Sequence, residues 1–293
     1  MNIINISEKR FQTLERYNPD TQFINTEAEI FLFPVNNEEK YKIFKKFFIT
    51  SGTNFSNKMF TINTLNDYKD YININELVIP TDLIAISKQL HGTLMELVEG
   101  KNLSQIIHDS KVALPVKIDL LKQVGIVLEK MKLVRQQKIL NDFYIGDMHE
   151  DNIIINPYQQ IRIADMDSCK IAGNKISPSK YLRQINKKGI INDKYKLDKE
   201  SPHLIIPNEN TDNYCYNIMI LNTLYQGDVS KLDLEEFNNY IDYLESIGIN
   251  KDLINNFSNL YSTKENQNLY YLLDDLKKKG YKAHKNIYKI KTK

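Results

Sequence analysis

Three polar residues at fixed offsets constrain this chain most. Asp147 is followed five residues on by Asn152, and thirteen further on by Asp165. Apolar runs flank both parts: Phe143-Tyr144-Ile145 and Ile153-Ile154-Ile155 around the first, Ile161-Arg162-Ile163-Ala164 before the second. Such runs bury as short strands on either side of a polar loop. Asn156-Pro157-Tyr158-Gln159-Gln160 supplies a hairpin turn between two of them. One alternative is a solvated turn that is merely rich in Asp and Asn. The other is a chemical site. Three oxygen-bearing side chains held together suit phosphoryl transfer: one carboxylate takes a hydroxyl proton, while an amide and a second carboxylate hold Mg²⁺ against nucleotide phosphates.

Composition narrows the setting. With 293 residues, 42% hydrophobic and 26% charged, the chain can bury two cores. A formal net charge of +2 gives no global field to attract nucleic acid, and no nucleic-acid partner is expected. No uninterrupted apolar run reaches bilayer length, so no membrane association is expected. The first ten residues lack the charged-then-apolar plan of a secretory signal. Two cysteines, Cys169 and Cys215, make neither a disulfide scaffold nor a metal cluster. A cytoplasmic protein with both thiols reduced is the expectation.

The apolar pattern changes period along the chain. Residues 20–98 read mostly as strands, at Glu29–Phe33, Tyr41–Ile49, Leu83–Ser87 and Gly92–Glu96, with a turn at Asn36–Glu39. One helix is predicted among them, from Asn57 to Tyr71, on the three-residue spacing of Met59, Ile62, Leu65 and Tyr68. After Gly100 the pattern is helical. Pro115 to Gln137 predicts one long buried helix, with Pro115 in the first turn, where a missing N–H costs nothing.

The spacing Asp147, Asn152, Asp165 resembles the protein kinase-like superfamily, whose catalytic loop reads H-R-D-x-x-x-x-N and whose metal motif is D-F-G. Gly146-Asp147-Met148-His149 is similar to the G-D-L-H wording of the aminoglycoside and choline kinase branch and of atypical bacterial protein kinases. The resemblance covers roughly residues 20 to 278. It implies an α+β, bilobal kinase-like fold: an N-terminal extension at 1–19, a small strand-rich N-lobe at 20–98, a larger helical C-lobe at 99–278 and a basic tail at 279–293.

The resemblance also implies roles. Asp147 would orient an acceptor hydroxyl and accept its proton. Asn152 and Asp165 would hold Mg²⁺, and Asp167 would reach a second metal or orient the loop. His149 would donate to phosphate or bond the loop backbone. Lys45 falls fifteen residues after Ile30, the family's interval between its loop-closing valine and its strand lysine, within Tyr41-Lys42-Ile43-Phe44-Lys45. There it would neutralise ATP phosphates; as an ordinary edge charge it would be solvated. Thr93 to Gly100 resembles the hinge, with backbone groups of Glu96 and Val98 on adenine and Met95 guarding the back pocket. Its plain reading is a strand leading to a turn.

Departures from the family are equally specific. The three glycine positions of the phosphate loop hold Phe23, Asn25 and Ala28. The predicted helix carries no glutamate to pair with Lys45; Asn57, Thr61 and Thr64 lie on plausible faces, and Asp67 is the only nearby acid. Downstream, Thr211 to Leu221 resembles the buried D-x-W-S-x-G helix, in which Asp212 serves the family role or an N-cap. Lysines from Lys170 to Lys199 form a solvated face or attract an acidic substrate. The expected function is Mg²⁺-ATP phosphotransfer by an atypical Ser/Thr protein kinase acting on a protein hydroxyl. The alternatives are a small-molecule kinase and a pseudokinase that binds nucleotide or a partner.

Overall fold

A computed structural model describes residues 1–17, 27–35, 40–174, 181, 195 and 205–280. The architecture is mixed α/β, with a six-stranded sheet in the N-terminal part and helices dominating the C-terminal part. In chain order the N-terminal elements are β1 (Asn2–Ile6), α1 (Glu8–Phe11), β2 (Glu15–Arg16), β3 (Ala28–Val35) and β4 (Lys40–Phe47). They continue with α2 (Gly52–Asp67), α3 (Lys69–Ile72), β5 (Asp82–Ile86) and β6 (Gln89–Glu96). The sheet order is β1-β5-β6-β4-β3-β2.

Two boundaries differ from the sequence reading. The stretch read as an N-terminal extension contributes two strands. β1 runs parallel to β5, pairing Asn2 with Asp82 and Ile6 with Ile86, and β2 pairs antiparallel with β3. The single helix expected from Asn57 to Tyr71 starts earlier and divides in two at Tyr68, giving α2 and α3. Its expected apolar side is buried: Met59, Ile62 and Leu65 face inward.

The second part opens with β7 (Lys101–Asn102) and α4 (Leu103–His108), then α5 (Leu114–Gln136), β8 (Ile153–Ile155) and β9 (Ile161–Ile163). It closes with α6 (Glu209–Tyr225), α7 (Leu234–Ser246) and α8 (Lys251–Ser258). Helix α5 matches the expected span within a residue, with Pro115 in its first turn. Leu121, Val124, Val127 and Met131 form its buried stripe, while Ile126 and Leu133 fall on its open face. Helix α6 is buried along nearly its whole length, so it forms the centre of this core. Tyr216 on α6 donates to the Leu121 carbonyl at 2.9 Å, satisfying a hydroxyl that burial would otherwise strand.

Several bonds fasten the two parts together. Val78 N donates to Ile163 O at 2.8 Å, and Ile163 N to Glu76 O at 2.7 Å. Arg162 on β9 grips the Glu96 carboxylate through both terminal nitrogens. No helix among the described residues is long and apolar enough to cross a membrane.

Candidate active site

The polar loop is positioned by a hairpin. Asn156 folds back on its own turn, its side-chain oxygen accepting from Tyr158 N at 3.0 Å and Gln160 N at 2.9 Å. That aligns β8 with β9, pairing Ile153 with Ile163. The ladder is extended by Ala164 N donating to Asn152 O at 2.8 Å, which sets Asp165 beside Asn152. Asn152 Nδ2 in turn donates to the Asp147 carbonyl at 3.0 Å, leaving its Oδ1 as the atom it can offer a cation.

Asp147 is fixed from behind. Gly146 has φ +72°, a conformation glycine adopts without strain. Its N–H donates to Asp212 at 3.0 Å, and Ile145 N donates to the other oxygen at 2.9 Å. The N-cap reading of Asp212 is therefore corrected. Asn208 caps α6, and Asp212, one turn in, aims a buried carboxylate at the loop. Burial pushes the Asp212 carboxyl up to about 6 against the two backbone bonds. His149 lies between two carboxylates, its Nε2 3.9 Å from Asp147 and its Nδ1 3.5 Å from Asp151, and is mostly buried.

Asp165 has φ +61°, in the left-handed region where Asp is tolerated but uncommon. Lys45 reaches it from β4. Lys45 Nζ bonds Asp165 and donates to both oxygens of Asp167 at 2.9 and 3.1 Å. The sheet is closely packed at its backbone. A Cβ on Gly92, in the neighbouring β6, would lie 1.9 Å from the Lys45 carbonyl oxygen. Lys46 turns to the opposite strand face, 3.6 Å from Glu29 and above the Phe11 ring.

None of the ion pairs described for Lys45 comes from α2; the helix contributes a lysine to the cluster instead. Lys58 on α2 lies 2.7 Å from Glu27 and 3.4 Å from Asp167. The docking of α2 is completed by a neutral bond, Asn174 Nδ2 to Thr61 Oγ1 at 2.6 Å. Lys58 is not among the residues the sequence singles out. The available signal is helical spacing. Lys58 stands four and seven residues before Ile62 and Leu65, inside the buried stripe.

Burial acts against the charges of Lys45, Lys58, Asp165 and Asp167. For Lys45 the charges of Asp165, Asp167 and Glu27 outweigh it, and the ammonium is held above its ordinary range. Lys58 is likewise raised, against its own burial, chiefly by Asp167. Burial opposes ionisation of Asp167, yet Lys45, a bond from Asp165 and Lys58 hold its carboxyl far below the usual range. Asp165 goes the other way: burial, with the charge of Asp167 added, pushes it up to about 7 despite Lys45.

Glu27, Asp165 and Asp167 place ligand oxygens within 4.8 Å of one another. Lys45 contacts all three, so an ammonium holds the centre of that trio. Asn152 Oδ1 and the Asp165 carboxylate are further hard oxygen donors on this loop.

The remaining expected residues line an apolar wall. Met95, buried, clusters with Ile43 and Val78, and Ile30, Leu97 and Val98 pack against them. Strand β6 ends at Glu96, whose side chain is committed to Arg162, and residues 97–100 lead to β7. Phe23, Asn25, the Asn36–Glu39 turn, the lysines from Lys175 to Lys199 and the tail from 281 to 293 lie outside the described residues. No protein-family model matches the chain, and a search of curated proteins gives no match.

Proposed function

We propose that the protein is a Mg²⁺-ATP-dependent phosphotransferase with a kinase-like bilobal fold, acting on a hydroxyl. One observation carries the reading. Lys45 of the sheet bonds Asp165 and Asp167 of the loop beside Asn152 and Asp147. These contacts bring a strand lysine and two carboxylates together beside an amide and a further carboxylate of the same loop, which supports the set that phosphoryl transfer requires. Asp147 accepts the acceptor's proton. Lys45 neutralises phosphate oxygens. Ile30, Met95 and Val98 wall the base, with backbone groups of Glu96 and Val98 addressing its edge. Asn152 and Asp165 would hold Mg²⁺, which supplies charge neutralisation at the phosphates.

The first acceptor class is a protein Ser or Thr hydroxyl. The Asp212 anchor supports it, since a buried aspartate at this point belongs to the D-x-W-S-x-G resemblance. A second reading, a small hydroxyl compound bearing an amine, is favoured by a cavity of about 350 Å³ beside the loop. Its lining includes Glu150, Asp151, Asp228 and Asn222, and none of its described lining residues is Lys or Arg. Incubation with γ-labelled ATP and Mg²⁺, with a cell lysate in one arm and amino sugars or amino alcohols in the other, separates the classes. Label in neither arm, nor on the protein itself, overturns phosphotransfer.

A further inference from the structure

Two lysines from different elements converge on one exposed oxygen. Asp167, with a side chain 1% exposed, lies between them, accepting from Lys45 at 2.9 Å and approached by Lys58 at 3.4 Å. It holds both stems in place from the buried side. On the open side stands Glu27, 49% exposed. A single atom, Glu27 Oε1, lies 2.7 Å from the Lys58 ammonium and 3.4 Å from that of Lys45. An oxygen gripped by two ammonium groups marks an anion position.

The place of Glu27 in the fold says which anion. It immediately precedes β3, whose Ile30 pairs with Lys45. On the nucleotide reading it therefore stands beside the phosphates that Lys45 would meet. Phosphate-covering loops usually bind through backbone N–H groups that glycine leaves accessible. Here the first glycine in the chain is Gly52, so no glycine before Lys45 eases such an approach.

We propose that Lys58 and Lys45 form a two-lysine phosphate cradle, set by Asp167 and filled by the Glu27 carboxylate when no phosphate is present. This rests on the nucleotide reading above for the identity of the ligand, but not for the anion site itself. Asp167 is then a positioning residue, not a metal ligand. Glu27 competes with phosphate and lowers affinity. The two substitutions should therefore act in opposite directions.

The test is calorimetry on the full chain with three probes: Mg²⁺-ATP, metal-free tripolyphosphate and adenosine. Lys58→Met should weaken the first two about tenfold or more, the usual effect of losing a charge-assisted contact, and leave adenosine unchanged. Lys58→Arg, which keeps the charge, should stay within about threefold of wild type, and Glu27→Gln should bind tripolyphosphate about threefold or more tighter. Wild-type affinity for Mg²⁺-ATP in Lys58→Met would overturn the cradle and leave phosphotransfer standing. Equal losses for adenosine and Mg²⁺-ATP would make Lys58 structural and also overturn it. Lys58-dependent binding of tripolyphosphate without ATP binding would uphold the cradle and defeat the nucleotide reading. Wild type binding none of the probes would defeat both.

Discussion

Lys45 donates to both carboxylate oxygens of Asp167, at 2.9 and 3.1 Å, across 122 positions of the chain. The pair joins the sheet to the polar loop at a buried point. Removing one partner strands the other, which generally costs more than the pair contributes.

Lys45→Met should therefore lower both stability and ligand affinity. Loss of one charge-assisted phosphate contact corresponds to about 1.5–3 kcal/mol, roughly ten- to a hundredfold in Mg²⁺-ATP affinity. Lys46→Met, on the other strand face, should change binding less than about threefold, because Lys46 turns away from the site toward Glu29 and the Phe11 ring. Calorimetry on both variants checks the register. Reversed effects would mean that Lys46, not Lys45, enters the site.

Stability should depend on pH through the raised carboxyls. Asp165 is pushed up to about 7 and Asp212 to about 6, both above the unfolded value of about 4. The folded state therefore holds more protons in this window, and stability falls as pH rises from about 4 to 7. Asp167, depressed, contributes stability that is lost only below the unfolded value. His91 runs the opposite way, because burial and then Lys46 lower its pKa. The contribution of Asp165 is isolated by comparing wild type with Asp165→Asn. Melting temperatures from pH 5 to 8 should fall more steeply in wild type; parallel curves would contradict the assignment.

Asp212→Asn keeps the shape but replaces one acceptor with a donor facing an N–H. The two amides that Asp212 now satisfies, Ile145 and Gly146, lose a bond each or share one. Hydrogen exchange of a peptide covering 143–148 should accelerate about tenfold or more, matching 1.4 kcal/mol or more of lost protection. Unchanged exchange would show that the loop is held by something else.

How much of this was legible in the sequence follows from distance along the chain. The loop was legible because Asp147, Asn152 and Asp165 are set by one hairpin, whose turn residues and flanking isoleucines are local. The inward side of Lys45 followed from strand alternation and its interval from Ile30. Lys58 was not legible, since its role depends on how α2 docks on a turn 109 residues away. The same holds for β1, which finds its partner β5 eighty positions later, in a parallel pairing that no turn signal announces. Asp212 looked like a cap because acids favour first turns. Asn208, four residues earlier, had the same chemistry, and tertiary contact with Gly146 decided between them.

Gly92→Ala tests the sheet packing behind the lysine. The added methyl would meet the Lys45 carbonyl at 1.9 Å, so β4 and β6 must part. A loss of about 1–3 kcal/mol is expected by denaturant titration, with weaker Mg²⁺-ATP binding because Lys45 moves too. Wild-type stability and affinity together would contradict the close approach.

Phosphate transfer by wild type and by Asp147→Asn, with binding measured alongside, tests the central claim most directly. Intact mass and γ-labelled ATP report transfer to the protein itself, to a lysate substrate or to a small acceptor. The account predicts label with wild type and a loss of about a hundredfold or more in Asp147→Asn, the usual scale for a missing proton acceptor. Mg²⁺-ATP affinity should be nearly unchanged. Equal transfer by the two proteins, or none by wild type, would contradict it.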